Sequence, residues 1–291
     1  MTDMPHATAA EKPVWLITGC STGFGRELAK YVLSRGYRTV VTARDIGDLS
    51  EFATNPNAVL VTLDVTKPDD VGAAIRLTMD KFKQVDVLVN NAGIGYFAAV
   101  EESEDDQVRR MFEINLFGLA RMIDAVLPGM RLRRSGAIIN FSSLAGLRGS
   151  PSIGYYNATK FAVEGLSESL SQEVEPLGIK VMLVEPGPFR TDWAGRSAAE
   201  SEHQIADYAA TAGAWRAHVR AISGKQKGDP VRAAHAIVEA IESRQPPHHL
   251  LLGKDAYESA ISQLDQLRQE FKAWEAVSRG ADFPTTGVDP L

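Results

Sequence analysis

The sequence lacks several features that would place it in a specialised class of protein. It contains one cysteine, Cys20, among 291 residues, which excludes an intrachain disulfide and suits a reducing compartment. No apolar run approaches the roughly 20 residues that span a bilayer. Basic residues are not in excess, since 31 Lys and Arg stand against 37 Asp and Glu, a net charge of −6. That balance argues against nucleic acid or an anionic membrane as a partner, and we expect a cytoplasmic protein.

The first residues show neither the basic start nor the apolar core of a signal peptide. We expect residues 1–12 to form a flexible arm and residues 13–291 to form one domain, because neither a linker nor an internal repeat divides the chain. With 44% hydrophobic and 23% charged residues, the composition is that of an ordinary globular protein.

Short apolar runs alternate with longer helical patterns over most of the chain. The runs predicted to be strands cover residues 14–17, 39–42, 58–63, 85–89, 137–141, 180–184 and 249–252. The segments predicted to be helices cover residues 23–35, a stretch from Pro68, 104–131, 155–175, 231–242 and 256–279, with a bend or an end expected at Pro128 and Gly129. Alternation implies βαβ units, and apolar strands imply helices on both faces of the sheet. The prediction is an α/β fold: a single-domain, Rossmann-like, doubly wound parallel sheet of about seven strands.

After Pro188 the pattern changes. The segment 191–227 is rich in alanine, carries Trp193, Tyr208 and Trp215, and shows no strand pattern. We interpret residues 191–228 as a substrate-binding loop or lid made of short helices.

A glycine-rich turn, TGCSTGFG, follows the first predicted strand. Gly19 permits a tight turn, Gly23 lets the backbone approach a pyrophosphate, and Gly25 lets the following helix pack closely. Amide groups at the start of that helix can bind phosphate. The alternative is a simple strand-to-helix turn, but the position directly after an apolar strand favours dinucleotide binding. The turn residues predicted to contact the cofactor are Gly19, Ser21, Thr22, Gly23, Phe24 and Gly25.

Arg44 follows the second predicted strand, about 20 residues after the last of these glycines, where such folds place the group that contacts the adenosine ribose. Ala43 stands where an acid would bind both ribose hydroxyls, and an arginine pairs well with a 2′-phosphate. The pattern favours NADP(H) over NAD(H). Asp45 keeps an alternative open, because it could neutralise Arg44 or bind the ribose itself, and a solvated surface arginine is a further alternative.

Two other strand ends carry residues suited to a cofactor. Asp64 ends the third strand and can accept a hydrogen bond from an adenine amino group, with Val65 beside the ring; a cap for the next helix is an equal alternative. Asn91, Ala92 and Gly93 close the fourth strand and allow the backbone to lie against a cofactor, although Asn and Gly also favour an ordinary turn.

Tyr156 and Lys160 lie one helical turn apart in YNATK, so that both face the same way. An ammonium beside a phenol favours the phenolate and makes the tyrosine a usable acid or base, although a surface pair is the common alternative. Ser143 ends the fifth strand, at the sheet edge where ligands bind, and its neighbour Ser142 is the alternative hydroxyl. Asn115 is a polar residue in an apolar helical stretch, and an amide bonded to the backbone is its alternative interpretation.

These residues together resemble the short-chain dehydrogenase/reductase family, in its compact single-domain branch. The similarity covers about residues 14–191. The motifs stand in the family's order, namely TGCSTGFG, Asp64, NNAG, Asn115, Ser143, YNATK, and Pro186-Gly187 followed by Thr191. The joint pattern is far more specific than any of its parts.

The resemblance implies a catalytic role for four residues. Tyr156 would protonate the developing alkoxide in reduction or act as the base in oxidation. Lys160 would lower the pKa of Tyr156 and hold the nicotinamide ribose. Ser143 would orient and polarise the carbonyl, and Asn115 would support a water-linked proton relay.

The resemblance also implies that Pro186, Gly187 and Thr191 flank the nicotinamide, with Thr191 bonding its carboxamide. The cofactor set departs from the family pattern at Thr22, where many NADP-using members carry a basic residue. Arg44 therefore stands alone in favouring the 2′-phosphate.

We predict an NADP(H)-dependent oxidoreductase that transfers a hydride between nicotinamide and a fairly apolar carbonyl or secondary alcohol. The substrate would meet Ser143, Tyr156, the loop at residues 96–97 and the segment 193–227. The alternatives are an NAD-dependent alcohol dehydrogenase of the same family, an epimerase or dehydratase, and a dinucleotide-binding redox sensor without turnover. We expect no metal site, because the six histidines lack metal-ligand spacing. The resemblance implies a homodimer or homotetramer formed through the helices at 104–131 and 155–175.

Overall fold

The computed structural model describes residues 12–195 and 197–283. Except for Lys12, the arm predicted at residues 1–12 lies outside the described residues. Seven parallel strands form the main sheet in the order β3-β2-β1-β4-β6-β7-β9. These strands are β1 (Val14–Ile17), β2 (Arg38–Ala43), β3 (Ala58–Thr62), β4 (Val87–Asn90), β6 (Gly136–Phe141), β7 (Ile179–Pro186) and β9 (His249–Leu252), while β5 (Gly95–Phe97) and β8 (Ala198–Glu200) pair separately.

Helices cover both faces of the main sheet. The α-helices of the described residues are α1 (Gly23–Ser34), α2 (Pro68–Phe82), α3 (Asp105–Phe112), α4 (Leu119–Arg133), α5 (Gly154–Val174), α6 (Ala214–Ala221), α7 (Pro230–Glu242), α8 (Lys254–Ala273) and α9 (Glu275–Arg279). Along β1, Trp15 and Ile17 join the core under α1 and α7, whereas Leu16 joins the core under α2, α4 and α5. This alternation buries both sides of the strand, and the predicted Rossmann-like α/β fold is confirmed.

The predicted helix at 104–131 is divided into three parts. Between α3 and α4 the backbone forms a π-helical segment, Glu113–Gly118. The helix end predicted at Pro128 is wrong, because α4 continues through it to Arg133. Pro128 and Asp124, whose carbonyl loses its amide partner, are both exposed, so water can replace the missing hydrogen bond.

The expectation that residues 191–227 contain no strand is also wrong. Strand β8 pairs in parallel with β5, with Ala198 opposite Gly95 and Glu200 opposite Phe97. The sequence of β8 is Ala-Ala-Glu, which carries no β-branched residue, so the strand depends on its tertiary partner rather than on propensity. The pairing fastens the start of the 191–228 segment to the body of the protein.

The C-terminal helix predicted at 256–279 is present as α8 and α9, with the break at Trp274. Beyond Ala260 almost every residue of these helices is exposed. No helix among residues 12–195 and 197–283 is long and apolar enough to cross a membrane.

Candidate active site

The glycine turn connects β1 to α1 at the carboxyl edge of the sheet. Gly19 has φ +72° and Gly23 has φ +59°, a region that side chains other than glycine rarely adopt. A Cβ at Gly19 would lie 3.0 Å from the Ala92 Cα, and one at Gly25 would lie 2.4 Å from the Gly19 carbonyl oxygen. The turn is therefore an open cradle of backbone amides at the start of α1, which is what a pyrophosphate group requires.

Asn91 holds the shape of this cradle. Its side-chain amide donates hydrogen bonds to the carbonyls of Thr18 (2.8 Å) and Gly19 (2.9 Å). The Thr18 hydroxyl in turn accepts the backbone N–H groups of Asn91 and Ala92, each at 3.0 Å. Thr18 was missed among the predicted site residues, although its position between the strand and the first glycine marks it. The Asn91 side chain shapes the turn rather than projecting towards a ligand.

The loop after β7 forms the opposite wall of the cleft. The Thr191 Cβ lies 3.3 Å from where a Cβ on Gly23 would be, so the two predicted cofactor residues face each other. Gly187 donates its N–H to the Leu252 carbonyl at 3.1 Å and lies directly after Pro186, the last residue of β7. Phe24 packs its ring on Phe141 and Phe189, which fixes α1 beneath this wall.

At the far end of the cleft, Arg44 is exposed just after β2, and Ala43 is buried. Asp45 accepts the Gly47 N–H at 2.8 Å and caps a short helix. Asp64 accepts two hydrogen bonds from Thr66; burial opposes its ionisation, but these bonds and the nearby Lys67 and Arg44 hold its pKa below the ordinary value.

The other predicted cofactor residues lie along the same cleft. Ser21 and Thr22 are half-buried at the start of α1. Val65 is buried against Gly118, where a Cβ would come within 2.6 Å of its Cγ2. Gly93 faces Asn115, whose Oδ1 would lie 3.3 Å from a Cβ at that position.

Tyr156 and Lys160 lie on α5 with their side chains buried, as their helical spacing predicts. The Lys160 Nζ lies 5.7 Å from the Tyr156 ring centroid and donates a hydrogen bond to the Phe141 carbonyl at 2.7 Å. Burial lowers the pKa of Lys160 to about 8, against the opposing charge of Glu164. Near neutral pH, Lys160 is therefore close to losing its proton and its charge.

Ser143 lies at the end of β6, as expected. Its hydroxyl accepts the Ala145 N–H at 3.1 Å and lies 3.4 Å from the Pro186 carbonyl oxygen, to which it donates. Burial raises the pKa of Tyr156 above its ordinary value, and a hydrogen bond from Ser143 opposes the rise. The lowered tyrosine pKa expected from the sequence is thus absent from the protein alone.

Asn115 lies in the π-helical segment. Its Oδ1 accepts the Ile94 N–H at 2.8 Å, and its Nδ2 donates to the Ile94 carbonyl at 2.9 Å. The same Nδ2 is 3.3 Å from the Thr159 hydroxyl on α5. The amide bonded to the backbone, one of the two interpretations from the sequence, is what the structure contains, and it joins the β4–β5 loop to α5.

Trp193 covers the ring of Tyr156. The two ring centroids are 4.9 Å apart, and the indole meets Phe97 edge-on at 5.5 Å. The indole N–H is buried without a hydrogen-bond partner among the described residues. The buried apolar cluster around it comprises Tyr96, Phe97, Ala98, Met111, Ala145, Ile153, Tyr156 and Ala198. Any substrate that reaches Tyr156 therefore meets an aromatic and apolar surface.

A charge network, here called the lid anchor, fastens the 191–228 segment to this surface. It comprises Glu102, Glu200, Arg216 and Arg220. Arg216 on α6 lies 3.3 Å from Glu102 and 3.1 Å from Glu200, and Arg220 lies 3.3 Å from Glu200. Sequence inspection missed this network because Glu102 and Arg216 lie 114 residues apart in the chain.

A second cluster, here called the rear acid cluster, lies behind Lys160. It comprises Glu164, Glu185 and His249, whose carboxylate oxygens and ring nitrogen all lie within 4.8 Å of one another. The His249 Nδ1 is 2.6 Å from a Glu185 oxygen. Burial raises the pKa of each glutamate to about 7, and the two carboxylates interact. No sequence motif joined these three residues.

Comparison with known proteins agrees with this geometry. A family model described as short chain dehydrogenase matches residues 13–202. The chain is 36% identical over 268 residues to an oxidoreductase, BOA17, of Botryotinia fuckeliana (91% of this chain, 97% of the relative) and 36% identical over 245 residues to a 3-ketodihydrosphingosine reductase of Bacteroides thetaiotaomicron (82% and 87%). A crystal structure of a short-chain dehydrogenase from Streptomyces avermitilis superposes with a TM-score of 0.89 at 40% identity, covering 94% of this chain and 100% of that one.

Two more distant structures bear on the cofactor. A Burkholderia phymatum enzyme in complex with NAD is 26% identical with a TM-score of 0.78, covering 97% of this chain and 98% of that one. A Burkholderia cenocepacia enzyme in complex with NADP is 25% identical with a TM-score of 0.71, covering 90% and 97%. These structures, like the glycine cradle, support a nicotinamide dinucleotide as cofactor. The chain belongs to the short-chain dehydrogenase/reductase family of oxidoreductases.

Proposed function

We propose that the protein is an NADP(H)-dependent reductase or dehydrogenase that interconverts an apolar ketone or aldehyde and the corresponding alcohol. One observation carries the proposal. Tyr156, Ser143 and Lys160 meet at the carboxyl edge of the sheet, with the glycine cradle on one side and the aromatic surface of Trp193 and Phe97 on the other.

The residues of this chain divide the work of the reaction. The bound nicotinamide would supply or accept the hydride. In reduction, the Tyr156 hydroxyl gives its proton to the oxygen of the carbonyl as negative charge develops there. The Ser143 hydroxyl polarises the same oxygen, and Asn115 holds the loop after β4 against the catalytic helix. In oxidation each proton transfer is reversed, and Tyr156 acts as the base.

Lys160 supplies the positive charge that a tyrosinate requires. In the protein alone, burial keeps the pKa of Tyr156 above its ordinary value. A cation near the phenol and the positive ring of the oxidised cofactor both favour the ionised form. The site thus becomes competent for base catalysis only when Lys160 is protonated and the cofactor is bound.

Replacing Tyr156 by phenylalanine tests the mechanism. We expect kcat to fall by about 10²- to 10⁴-fold, the usual contribution of a positioned acid or base, while NADPH binding persists. The exposed Tyr257 offers a matched control, since Tyr257→Phe removes a hydroxyl from a solvent-exposed side chain on α8. A Tyr156→Phe enzyme that kept most of its turnover would contradict the assignment.

Arg44 carries the proposed preference for NADP(H). We expect Arg44→Ala to weaken NADPH binding by about 10- to 100-fold, since a charge-assisted hydrogen bond contributes about 1.5–3 kcal/mol, and to leave NADH binding unchanged. Titration of each cofactor, followed by fluorescence, measures both effects, with the exposed Arg279→Ala as control. Stronger binding of NADH by the unaltered protein would assign the enzyme to the NAD-dependent alternative.

The apolar surface near Tyr156 supports an apolar substrate. Two relatives are named for such substrates: the 3-ketodihydrosphingosine reductase, and the human retinol dehydrogenase 8, which is 37% identical over 201 residues (66% of this chain, 64% of the relative). We expect long-chain or polycyclic ketones to have a higher kcat/KM than small keto acids in a panel assay. Preference for the keto acids would contradict this substrate class.

We also propose that two copies associate through α4 and α5, which correspond to the predicted helices. Their exposed apolar residues include Leu132, Phe161 and Leu166, and Phe117 lies in the adjoining π-helical segment. Sedimentation should give a multiple of the 31.6 kDa chain mass, and Phe161→Glu with Leu166→Glu should reduce it. A monomer at micromolar concentration would contradict the proposal.

The cytosolic location stays a prediction.

A further inference from the structure

Glu164, one member of the rear acid cluster, lies on the same helix as Tyr156 and Lys160. Tyr156, Lys160 and Glu164 follow one another at intervals of four residues on α5, so their side chains share one face of the helix. All three are more than nine-tenths buried. Glu164 is therefore the negative group one turn behind the lysine that the mechanism needs in its charged form.

Glu185 approaches Glu164 from the sheet. It is fully buried on β7, directly before Pro186 and Gly187 in the wall of the cofactor cleft. Both Glu164 oxygens and one Glu185 oxygen are buried without a hydrogen-bond partner among the described residues. Two ionised carboxylates this close repel each other strongly, so the pair is most stable when it holds one proton between its members.

His249 connects the pair to solvent. Its side chain is 42% exposed, and its Nδ1 lies 2.6 Å from Glu185 and 3.8 Å from Glu164. The shorter distance is that of a hydrogen bond. It is too short for two ligands of a zinc ion, because bonds of about 2.0–2.2 Å in a tetrahedron hold the ligand atoms about 3.3–3.6 Å apart. The geometry thus favours a shared proton over a metal ion.

We propose that Glu164 is a positioning residue which, by sharing one proton with Glu185, places a single negative charge behind Lys160 and keeps the lysine in its ammonium form beneath Tyr156. The inference rests on the roles proposed above for Tyr156 and Lys160. Ser142, on the far side of Gly146, faces the same gap: a Cβ on Gly146 would lie 2.5 Å from its hydroxyl and 2.9 Å from Glu164.

The groups that face Lys160 and the Glu164–Glu185 pair determine the direction in which the pKa of Lys160 shifts. Burial favours the neutral amine of Lys160, and Glu164 opposes it. Ser142 and His249 favour the ionised form of Glu164, and Glu185 opposes it. If the charge of Glu164 is removed, Lys160 loses its proton at lower pH, and Tyr156 then needs a higher pH to ionise.

The test compares three isosteric changes. In alcohol oxidation, the rising limb of the pH profile of kcat/KM requires the Tyr156 phenolate. We expect Glu164→Gln to move this limb to higher pH by about one unit or more, the size of a close charge–charge effect. Glu185→Gln should leave it in place or move it to lower pH, because the new amide can donate a hydrogen bond to ionised Glu164. Glu168→Gln, one turn further along α5 and exposed, should have no effect.

A purely structural role would be revealed by a different result. If Glu164→Gln lowered kcat/KM equally at every pH, or if Glu168→Gln moved the limb as far, the proposal would be overturned. A stoichiometric divalent metal ion in the purified protein, with activity lost to a chelator and restored by the metal, would also overturn it, since the cluster would then be a metal site.

A second readout separates this proposal from the proposed function. The tyrosinate absorbance of each variant, measured with the oxidised cofactor bound and against the same variant carrying Tyr156→Phe, reports the ionisation of Tyr156 without turnover. Glu164→Gln should move that ionisation to higher pH even if no carbonyl in a panel is reduced. An unmoved titration in folded Glu164→Gln protein, or in Glu164→Asp if the glutamine variant does not fold, would overturn the proposal while leaving the oxidoreductase assignment intact.

Discussion

The protein buries acidic side chains in two places, and the pKa values at these places shift in opposite directions. In the lid anchor, burial opposes ionisation of Glu102, but the N–H groups of Ala99 and Ile205 and the guanidinium of Arg216 outweigh it and hold its pKa below the ordinary value. In the rear acid cluster, burial dominates and the pKa of Glu164 and of Glu185 rises to about 7. The number of donors decides the outcome: Glu102 has backbone and arginine donors, whereas the two glutamates face each other.

The two clusters therefore differ in whether their charge changes with pH near neutrality. Glu102 stays ionised to a lower pH than an ordinary glutamate, so it is suited to holding the 191–228 segment in place. The rear pair changes its charge close to neutral pH, beside Lys160, the residue that we propose stabilises the tyrosinate. The pKa of a buried acid therefore depends on the hydrogen-bond donors that surround it as well as on its burial.

Breaking the lid anchor should have the largest effect. Arg216→Met leaves Glu102 buried without its cation, and we expect the free energy of unfolding to fall by about 3–5 kcal/mol, as for other broken buried pairs. Urea denaturation measures the change. The half-exposed Arg220 provides the control, since Arg220→Met should cost much less. A loss below about 1 kcal/mol for Arg216→Met would show that the backbone donors alone stabilise Glu102.

The rear acid cluster should give a smaller effect that depends on pH. The pKa of Glu185 is raised from 4.5 to about 7 on folding, so between these values the folded protein binds more protons than the unfolded chain. The free energy of unfolding therefore decreases as the pH rises through this window. Glu185→Gln removes the effect, and its stability relative to the unaltered protein should increase by about 1–2 kcal/mol between about pH 5 and pH 8.

Thermal or urea unfolding at the two pH values makes that measurement. Near pH 5 the glutamine is isosteric with the protonated acid, so the two proteins should be almost equally stable. A difference that stayed constant from pH 5 to pH 8 would show that Glu185 carries its charge in the folded protein, as Glu102 does, and would remove the contrast between the two clusters.

The smallest effect should come from the partly exposed member of the lid anchor. Glu200 is about one-third exposed and faces both arginines. We expect Glu200→Gln to lower the free energy of unfolding by no more than about 1 kcal/mol, the usual limit for solvated ion pairs, and by less at high salt. A cost close to that of Arg216→Met would mean that the network acts as one unit.

The fold was predictable because the apolar strands and their spacing are local signals. The positions of Tyr156, Lys160 and Ser143 followed from the same signals, since a strand end and a helical turn determine them. Strand β8 was not predictable, because its three residues, Ala-Ala-Glu, form a strand only beside β5. Whether the helix continues through Pro128 also depends on the exposure of that turn to solvent, and the sequence alone does not give this exposure.

The two acid clusters escaped prediction for a related reason. Glu164 and Glu185 lie on a helix and on a strand, and only the packing of α5 on β7 brings them together. Trp193 likewise reaches Tyr156 because β8 draws its loop across the cleft. Arg44 was located correctly after β2, but its preference for a phosphate depends on a ligand and stays a proposal.

The order of strands in the sheet affects how the chain must be synthesised. Strand β1 leaves the ribosome first, and one of its two neighbours is β4, whose Val87 pairs with Trp15. Until Val87 emerges, one edge of β1 has no partner, and an unpaired apolar strand edge is a template for association with other chains. The nascent chain therefore carries this unpaired edge of β1 throughout the translation of the residues between Ile17 and Val87.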